Sequence, residues 1–184
     1  MNLLKKEFFL KFIVGVSILY LSILSSCLSP YLDELKIREG ELIGRVVIPN
    51  TINVKVKTEV DGDSVTLDRD SLLAINYVDS NRINQVNINT LTMTMLTPSD
   101  CTFFAIDSMD VYISNGERDV LVGHLDSLPV PISRTLEFNT RNNGDVRSVF
   151  FSDTVFYKVS VITRDTLFNP YFTEVEAEYI MIGD

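Results

Sequence analysis

The sequence predicts an all-β protein, an antiparallel β-sandwich of the immunoglobulin or fibronectin type with one or two short helices. Three observations lead there: repeated apolar–polar alternation, turn signals at close intervals, and too few special residues for any other organising centre. The chain has 184 residues, 46% hydrophobic and 22% charged, with 25 acidic against 16 basic side chains and a net charge of -9. That length suits one domain rather than two. Two cysteines and one histidine are too few for a four-ligand zinc site, a disulfide framework or a histidine-rich catalytic centre. The acidic balance opposes nucleic acid, whose phosphates require clustered Lys and Arg.

The apolar content is concentrated at the front. Lys5, Lys6 and Lys11 precede an uncharged stretch from Phe12 to Leu24, followed by Ser25, Ser26 and Cys27. This is the order of a secretion signal: a positive start, an apolar core, then small residues before a cut. The core of 13 residues is short of the roughly 20 needed to span a bilayer, so an uncleaved anchor with an incidental Cys27 is the weaker alternative. The run Leu24-Ser25-Ser26-Cys27 resembles the lipobox of bacterial lipoproteins. That resemblance implies cleavage before Cys27, a diacylglyceryl group on its thiol and an acylated amine, with palmitate-type chains holding the protein on the bilayer. Several acyl chains anchor stably where one binds only marginally.

Removing residues 1–26 takes away three Lys and one Glu, leaving 158 residues with 13 basic and 24 acidic side chains and a formal charge of -11. Anionic headgroups repel such a domain, so the lipid must do the attaching. In lipoproteins of two-membrane bacteria, the non-acidic Leu28 implies delivery to the outer membrane, with the periplasmic or surface face left open. Residues 27–41, with Pro30, mixed charges and Gly40, read as the lipidated cysteine and a tether, with a turn of helix at 32–37 as an option.

The β-sandwich domain is expected over 42–184. Ile52, Val54, Val56 and Val60 alternate with Lys55, Lys57 and Glu59, and Asp61-Gly62-Asp63 offers a turn, so 51–67 reads as a hairpin. Asp70 could cap one or two helical turns at 71–75. From 84 to 96 the apolar parity switches, from Val86 and Ile88 to Leu91, Met93 and Met95. A strand has a side-chain period of two, so a bulge or a change of sheet is required near Asn89-Thr90. Thr97-Pro98-Ser99-Asp100 is a turn, and Met109, Val111 and Ile113 restart the alternation. Asn115-Gly116 is a hairpin turn into Val120–Leu125. Pro129 and Pro131 interrupt pairing before Thr135–Phe138, and Asn142–Asp145 turns into a short helix at 145–151. Val155, Tyr157, Val159 and Val161 alternate, as do Val175, Ala177, Tyr179 and Met181. Seven to nine short strands result.

The stretch TLTMTMLTPSDCTFFAIDSMDVYISNGERDVLVGHLDSLP, beginning at Thr90, resembles small sandwich-type lipoproteins of Bacteroidota, and the likeness extends loosely through TVFYKVSVITRDT at 154–166. It implies a fold and an envelope location but brings no catalytic residues. Function lives in sites, not folds.

The candidate sites are sparse. His124 is the only histidine, and any relay through it must use Asp107, Asp119 or Asp126, without a G-x-S-x-G nucleophile turn. The plainer account is a polar residue near a strand end, facing water or its neighbour. Cys101 reads as a buried, inert thiol at a strand start, with no nearby cation to activate it. Glu174, Glu176 and Glu178 share a strand face roughly 6.7 Å apart, which suits a solvated face better than a Ca²⁺ site. Asp61, Asp63, Asp68 and Asp70 lack calcium-loop spacing. The chain has no tryptophan, so a sugar-stacking platform would need Tyr or Phe, and Tyr77, Tyr112, Tyr157, Tyr171 and Tyr179 read as sheet packing. No catalytic residue, metal or cofactor is expected. The expected partner is the lipid bilayer, through Cys27; a protein or glycan partner is not identified by any motif.

Overall fold

The computed structural model describes residues 35–65, 82–128, 133–140, 145–152 and 154–183, with backbone alone at 35–39. Within them, Lys36–Gly183 form one compact unit. Among the described residues eight strands run in the order β1 (Leu35–Ile48), β2 (Thr58–Val65), β3 (Ile83–Thr97), β4 (Ile106–Ser114), β5 (Asp119–Leu125), β6 (Thr135–Glu137), β7 (Val155–Thr163) and β8 (Tyr171–Gly183). A 3₁₀ turn at Phe103–Ala105 precedes β4, and one helical turn, α1 (Arg147–Phe150), precedes β7.

The strands form two four-stranded sheets, β1-β8-β3-β6 and β2-β7-β4-β5, and the pairs β2/β7, β3/β6, β3/β8, β4/β5 and β4/β7 are antiparallel. Inward side chains of both sheets share one core that includes Leu42, Val86, Leu91, Met109, Val159 and Val175. The Tyr157 hydroxyl on β7 crosses it to donate to the Leu42 carbonyl on β1 at 2.8 Å. This is the antiparallel β-sandwich that the alternation predicts. Within that class the interleaved order is that of an eight-stranded jelly roll, and it replaces the immunoglobulin or fibronectin arrangement, which splits seven strands as four and three.

The parity switch in β3 is present. Its register against β8 shifts between Ile88 and Thr90, and Val86, Ile88, Leu91, Met93 and Met95 are all buried. The Asn115-Gly116 hairpin also forms, with Gly116 at a φ of 89° and the Asn115 side-chain oxygen accepting from the backbone of Glu117 and Arg118 at 3.1 and 2.9 Å. Ahead of α1, the Asp145 carboxylate accepts from the Arg147 amide at 2.9 Å and from the Val86 amide at 3.0 Å, which ties the helical turn to β3.

Three further expectations are corrected. β1 begins at Leu35, so residues 35–41 are strand rather than tether or helical turn. It is an edge strand, where outward Glu41 and Arg45 remain exposed while Leu42, Val46 and Ile48 are buried. The hairpin at 51–67 does not form. Residues 49–57 are a loop in which Lys55 has a φ of 60° and its amide donates to the Thr163 carbonyl at 2.8 Å, so Val54 and Val56 are exposed and only Ile52 is buried. Gly62 is not a turn residue. It lies inside β2 at a bulge between Asp61 and Ser64, where a Cβ would come within 2.7 Å of the Arg45 carbonyl and 3.0 Å of the Tyr157 carbonyl. Asp68, Asp70, the proposed helix at 71–75, Tyr77, Pro129, Pro131 and the turn residues Asn142–Gly144 lie outside the described residues.

The strand directions put the β1–β2, β3–β4, β5–β6 and β7–β8 connections at one end of the sandwich, called the tip below. β1 begins at the other end, where Ile83 faces Gly183.

Candidate functional site

Two sites emerge, one around His124 and one at the tip. The first depends on a break in the strand period. Counting back from the Asn115-Gly116 turn, plain pairing would set Asp110 opposite Gly123. The β4/β5 register instead shifts after Tyr112, so that Asp110 faces His124. Val122 and Gly123 both take inward places, and a side chain on Gly123 would run into Leu91 and Phe138. This bulge turns His124 onto the outer face of the sheet beside Asp110.

There His124 is held at both ring nitrogens, Nδ1 by Asp110 Oδ1 at 2.5 Å and Nε2 by Asp126 Oδ1 at 2.8 Å. Lys57 Nζ, from the loop before β2, reaches Asp110 Oδ2 at 3.1 Å, and the Tyr112 hydroxyl donates to the same oxygen at 3.4 Å. The hydrogen bond to Asp110 pushes His124 above the ordinary histidine pKa, against burial, with Asp126 adding to the rise. Burial by itself would raise Asp110, but hydrogen bonds from His124 and Lys57 outweigh it and hold the carboxyl below its ordinary value. The same carboxylate raises Lys57, whereas burial is the main cause of the rise at Tyr112.

The chemistry of this cluster is that of a clasp. Across the sheet the row reads Glu59, Ser160, Asp110, His124. Ser160 is 2% exposed and its hydroxyl lacks a hydrogen-bond partner. A Ser-His-Asp relay needs the imidazole between hydroxyl and carboxylate, and here the carboxylate is in the middle. Both imidazole nitrogens are already engaged. A parallel clasp runs from Lys158 on β7 to Glu59 on β2 at 3.0 Å and to Asp119 on β5 at 2.9 Å. Hydrogen bonds from Ser114 and Lys158 lower Asp119. Beyond His124, its amide and carbonyl pair with those of Asn139 at 3.3 and 3.2 Å, so β5 is stitched to the chain leaving β6 in the other sheet.

The second site is a groove of about 310 Å³ between the β3–β4 connection and the β7–β8 loop, with Asp100, Cys101, Phe104, Asp165, Phe168 and Asn169 among its walls. The two walls are bound together. The Arg164 amide donates to the Ala105 carbonyl at 2.8 Å and its Nε to the Ile106 carbonyl at 3.0 Å. Arg164 also pairs with Asp107 at 3.6 Å and lies 6.0 Å from the centre of the Phe104 ring. Under the groove, Phe103 meets Tyr171 edge-on with ring centres 6.2 Å apart. The β1–β2 loop braces the far wall, with Asn50 Nδ2 donating to the Phe168 carbonyl at 3.4 Å.

Of the residues singled out from sequence, His124 and Asp126 are together, while Asp107 and Asp119 belong to the pairs with Arg164 and Lys158. Asp110 and Lys57 were not anticipated; Gly123 inside an alternating strand is the signal that marks the bulge. Cys101 is a free, half-buried cysteine on the groove wall rather than a fully buried one. Glu174, Glu176 and Glu178 flank Thr94, Thr92 and Thr90 on the outer face of the first sheet, with Arg45 near Glu174 at 3.8 Å. Asp61 and Asp63 are exposed on β2. Tyr157, Tyr171 and Tyr179 are core residues, and Tyr112 is half-buried on the outer face. Leu24, Ser25, Ser26 and Cys27 lie outside the described residues, and among the described residues no helix is long and apolar enough to cross a membrane and no group of acidic, His and Cys side chains could hold a metal ion. Compared with known proteins, the chain matches no family model, no curated protein and no solved structure.

Proposed function

We propose that the chain is a lipid-anchored lipoprotein of the bacterial cell envelope, carried on the outer membrane, whose β-sandwich binds or scaffolds without catalysing a reaction. The observation that carries the location is the run Leu24-Ser25-Ser26-Cys27 at the end of the apolar stretch Phe12–Leu24. The non-catalytic reading is supported by His124, the single histidine, having both ring nitrogens committed to carboxylates. A fimbrial or adhesin-like subunit that pairs an edge or terminal strand with another chain is the less favoured reading, and a hydrolase is less favoured still. Among the described residues each sheet already takes four strands from this chain, and an incomplete sheet is what that mode requires.

The anchor is tested by Cys27→Ser in the full chain expressed in a two-membrane bacterium and labelled with radioactive palmitate. The expected result is loss of the label and recovery of the protein outside the membrane fraction. Label and membrane association equal to those of the parent chain would overturn the reading.

A further inference from the structure

The tip groove combines features that point to a ligand. Phe168 is 87% exposed and Phe104 59%, although an exposed phenyl ring gives up the favourable burial it would have in a core. Neither ring is on a slack segment. Arg164 ties the two walls together, Asn50 holds the Phe168 carbonyl, and the Asp165 carboxylate accepts from the Thr166 amide at 2.7 Å. The rings are therefore presented on braced backbone, which reduces the ordering cost of binding.

The polar wall selects the chemistry. Asp100 and Asp165 line the groove as hydrogen-bond acceptors, and Asn169 can both donate and accept. Arg164, which ties the two walls together, is already committed to Asp107, to the Ile106 carbonyl and to the Phe104 face. An anionic ligand would meet two carboxylates with no counter-charge among the lining residues, and a compact cation would leave most of the two exposed phenyl faces in water. What remains is a neutral molecule with hydroxyl donors on its edges and C–H bonds on its faces. A sugar ring has that character: its polarised C–H face meets the negative face of an aromatic ring, and its hydroxyls make charge-assisted hydrogen bonds to carboxylates.

We propose that this groove binds a neutral saccharide, with Phe168 as the principal stacking face, Phe104 as the second, and Asp100, Asp165 and Asn169 taking the hydroxyls. The proposal rests on the binding half of the function proposed above and is independent of the lipid anchor.

The experiment uses the full chain in a zwitterionic detergent free of sugar headgroups. Saturation-transfer NMR is run with a panel of neutral hexasaccharides, the α-1,4 and β-1,4 glucans, a β-1,4 mannan and a β-1,4 xylan, and with a trilysine peptide. Transfer to at least one hexasaccharide is expected, with affinity about tenfold weaker in Phe168→Ala, the loss of one stacking contact, and also weakened in Asp165→Asn, which keeps the acceptor for the Thr166 amide. An unchanged melting temperature in both variants shows that the fold is intact, as the exposure of Phe168 requires. No transfer to any hexasaccharide, transfer untouched by both variants, or trilysine occupying the groove in their place would overturn the proposal. Membrane release by Cys27→Ser is read separately by fractionation, so failure of the anchor and failure of the groove give different results.

Discussion

At the scale of single residues, the His124 clasp makes stability depend on pH in a defined direction. His124 holds its proton more readily folded than unfolded, so its contribution is complete below the ordinary value of 6.5 and is lost as pH rises through the raised folded value. Asp110 works in the opposite sense, contributing above the ordinary 3.8 and losing that contribution as pH falls through its lowered folded value. The clasp is strongest between those limits. Thermal melts at pH 5.5 and pH 8.5 should show the parent chain losing more stability between the two than His124→Gln does, and equal losses would contradict this account. Asp110→Ala at pH 5.5 should cost about 1–2 kcal/mol, the loss of hydrogen bonds between charged partners, measured by urea denaturation. Gly116, at a φ of 89°, should tolerate Ala only at a cost of about 1–2 kcal/mol. His124 and Asp126 were legible because the chain has one histidine with an acid two residues on. Asp110 was not, because the plain hairpin register places Gly123 opposite it and only the bulge corrects that.

At the scale of elements, the sequence was most informative where burial enforces a period. The switch between Val86-x-Ile88 and Leu91-x-Met93-x-Met95 demanded a bulge, and the β3/β8 register has one there. It was least informative at edges and loops. Mixed charges at 35–41 looked like a tether because an edge strand leaves one face and one side in water. The valines at 54 and 56 mimicked a strand, since alternation in a short run does not distinguish a sheet from a loop lying over one. Gly62 shows the same limit, as a glycine required by approaching backbone looks, in sequence, like a glycine required by a turn. Gly62→Ala should lower stability by about 1–3 kcal/mol, typical of overpacking, because the carbonyls of Arg45 and Tyr157 cannot move aside as a side chain would. Tyr157→Phe should cost about 0.5–1.5 kcal/mol through the lost bond to the Leu42 carbonyl. Chemical denaturation of each variant checks both values.

At the scale of the whole molecule, strand order is what a single sequence conceals. The tip groove joins Phe104 to Phe168, on loops whose adjacency follows only from interleaving β3 and β4 with β7 and β8 between two sheets. That same interleaving makes most pairings distant along the chain, and such topologies fold in milliseconds to seconds. Stopped-flow refolding of the full chain should fall in that range; microsecond refolding would contradict it. The two sheets share one core, so a single cooperative melting transition is expected by calorimetry. The strand directions carry one more consequence, mechanical in kind. β1, which contains Lys36, runs 14 residues to the tip beside β8, roughly 45 Å at 3.3 Å per residue. A pull applied between a ligand in the groove and the chain ahead of Lys36 would act along these strands, loading their cross-strand hydrogen bonds together in shear. A pull that separates Lys36 from Gly183, which end at the same end of the sandwich, would instead peel the bonds apart one after another. Force spectroscopy should therefore find the domain stronger when held at its tip than when held at its two ends.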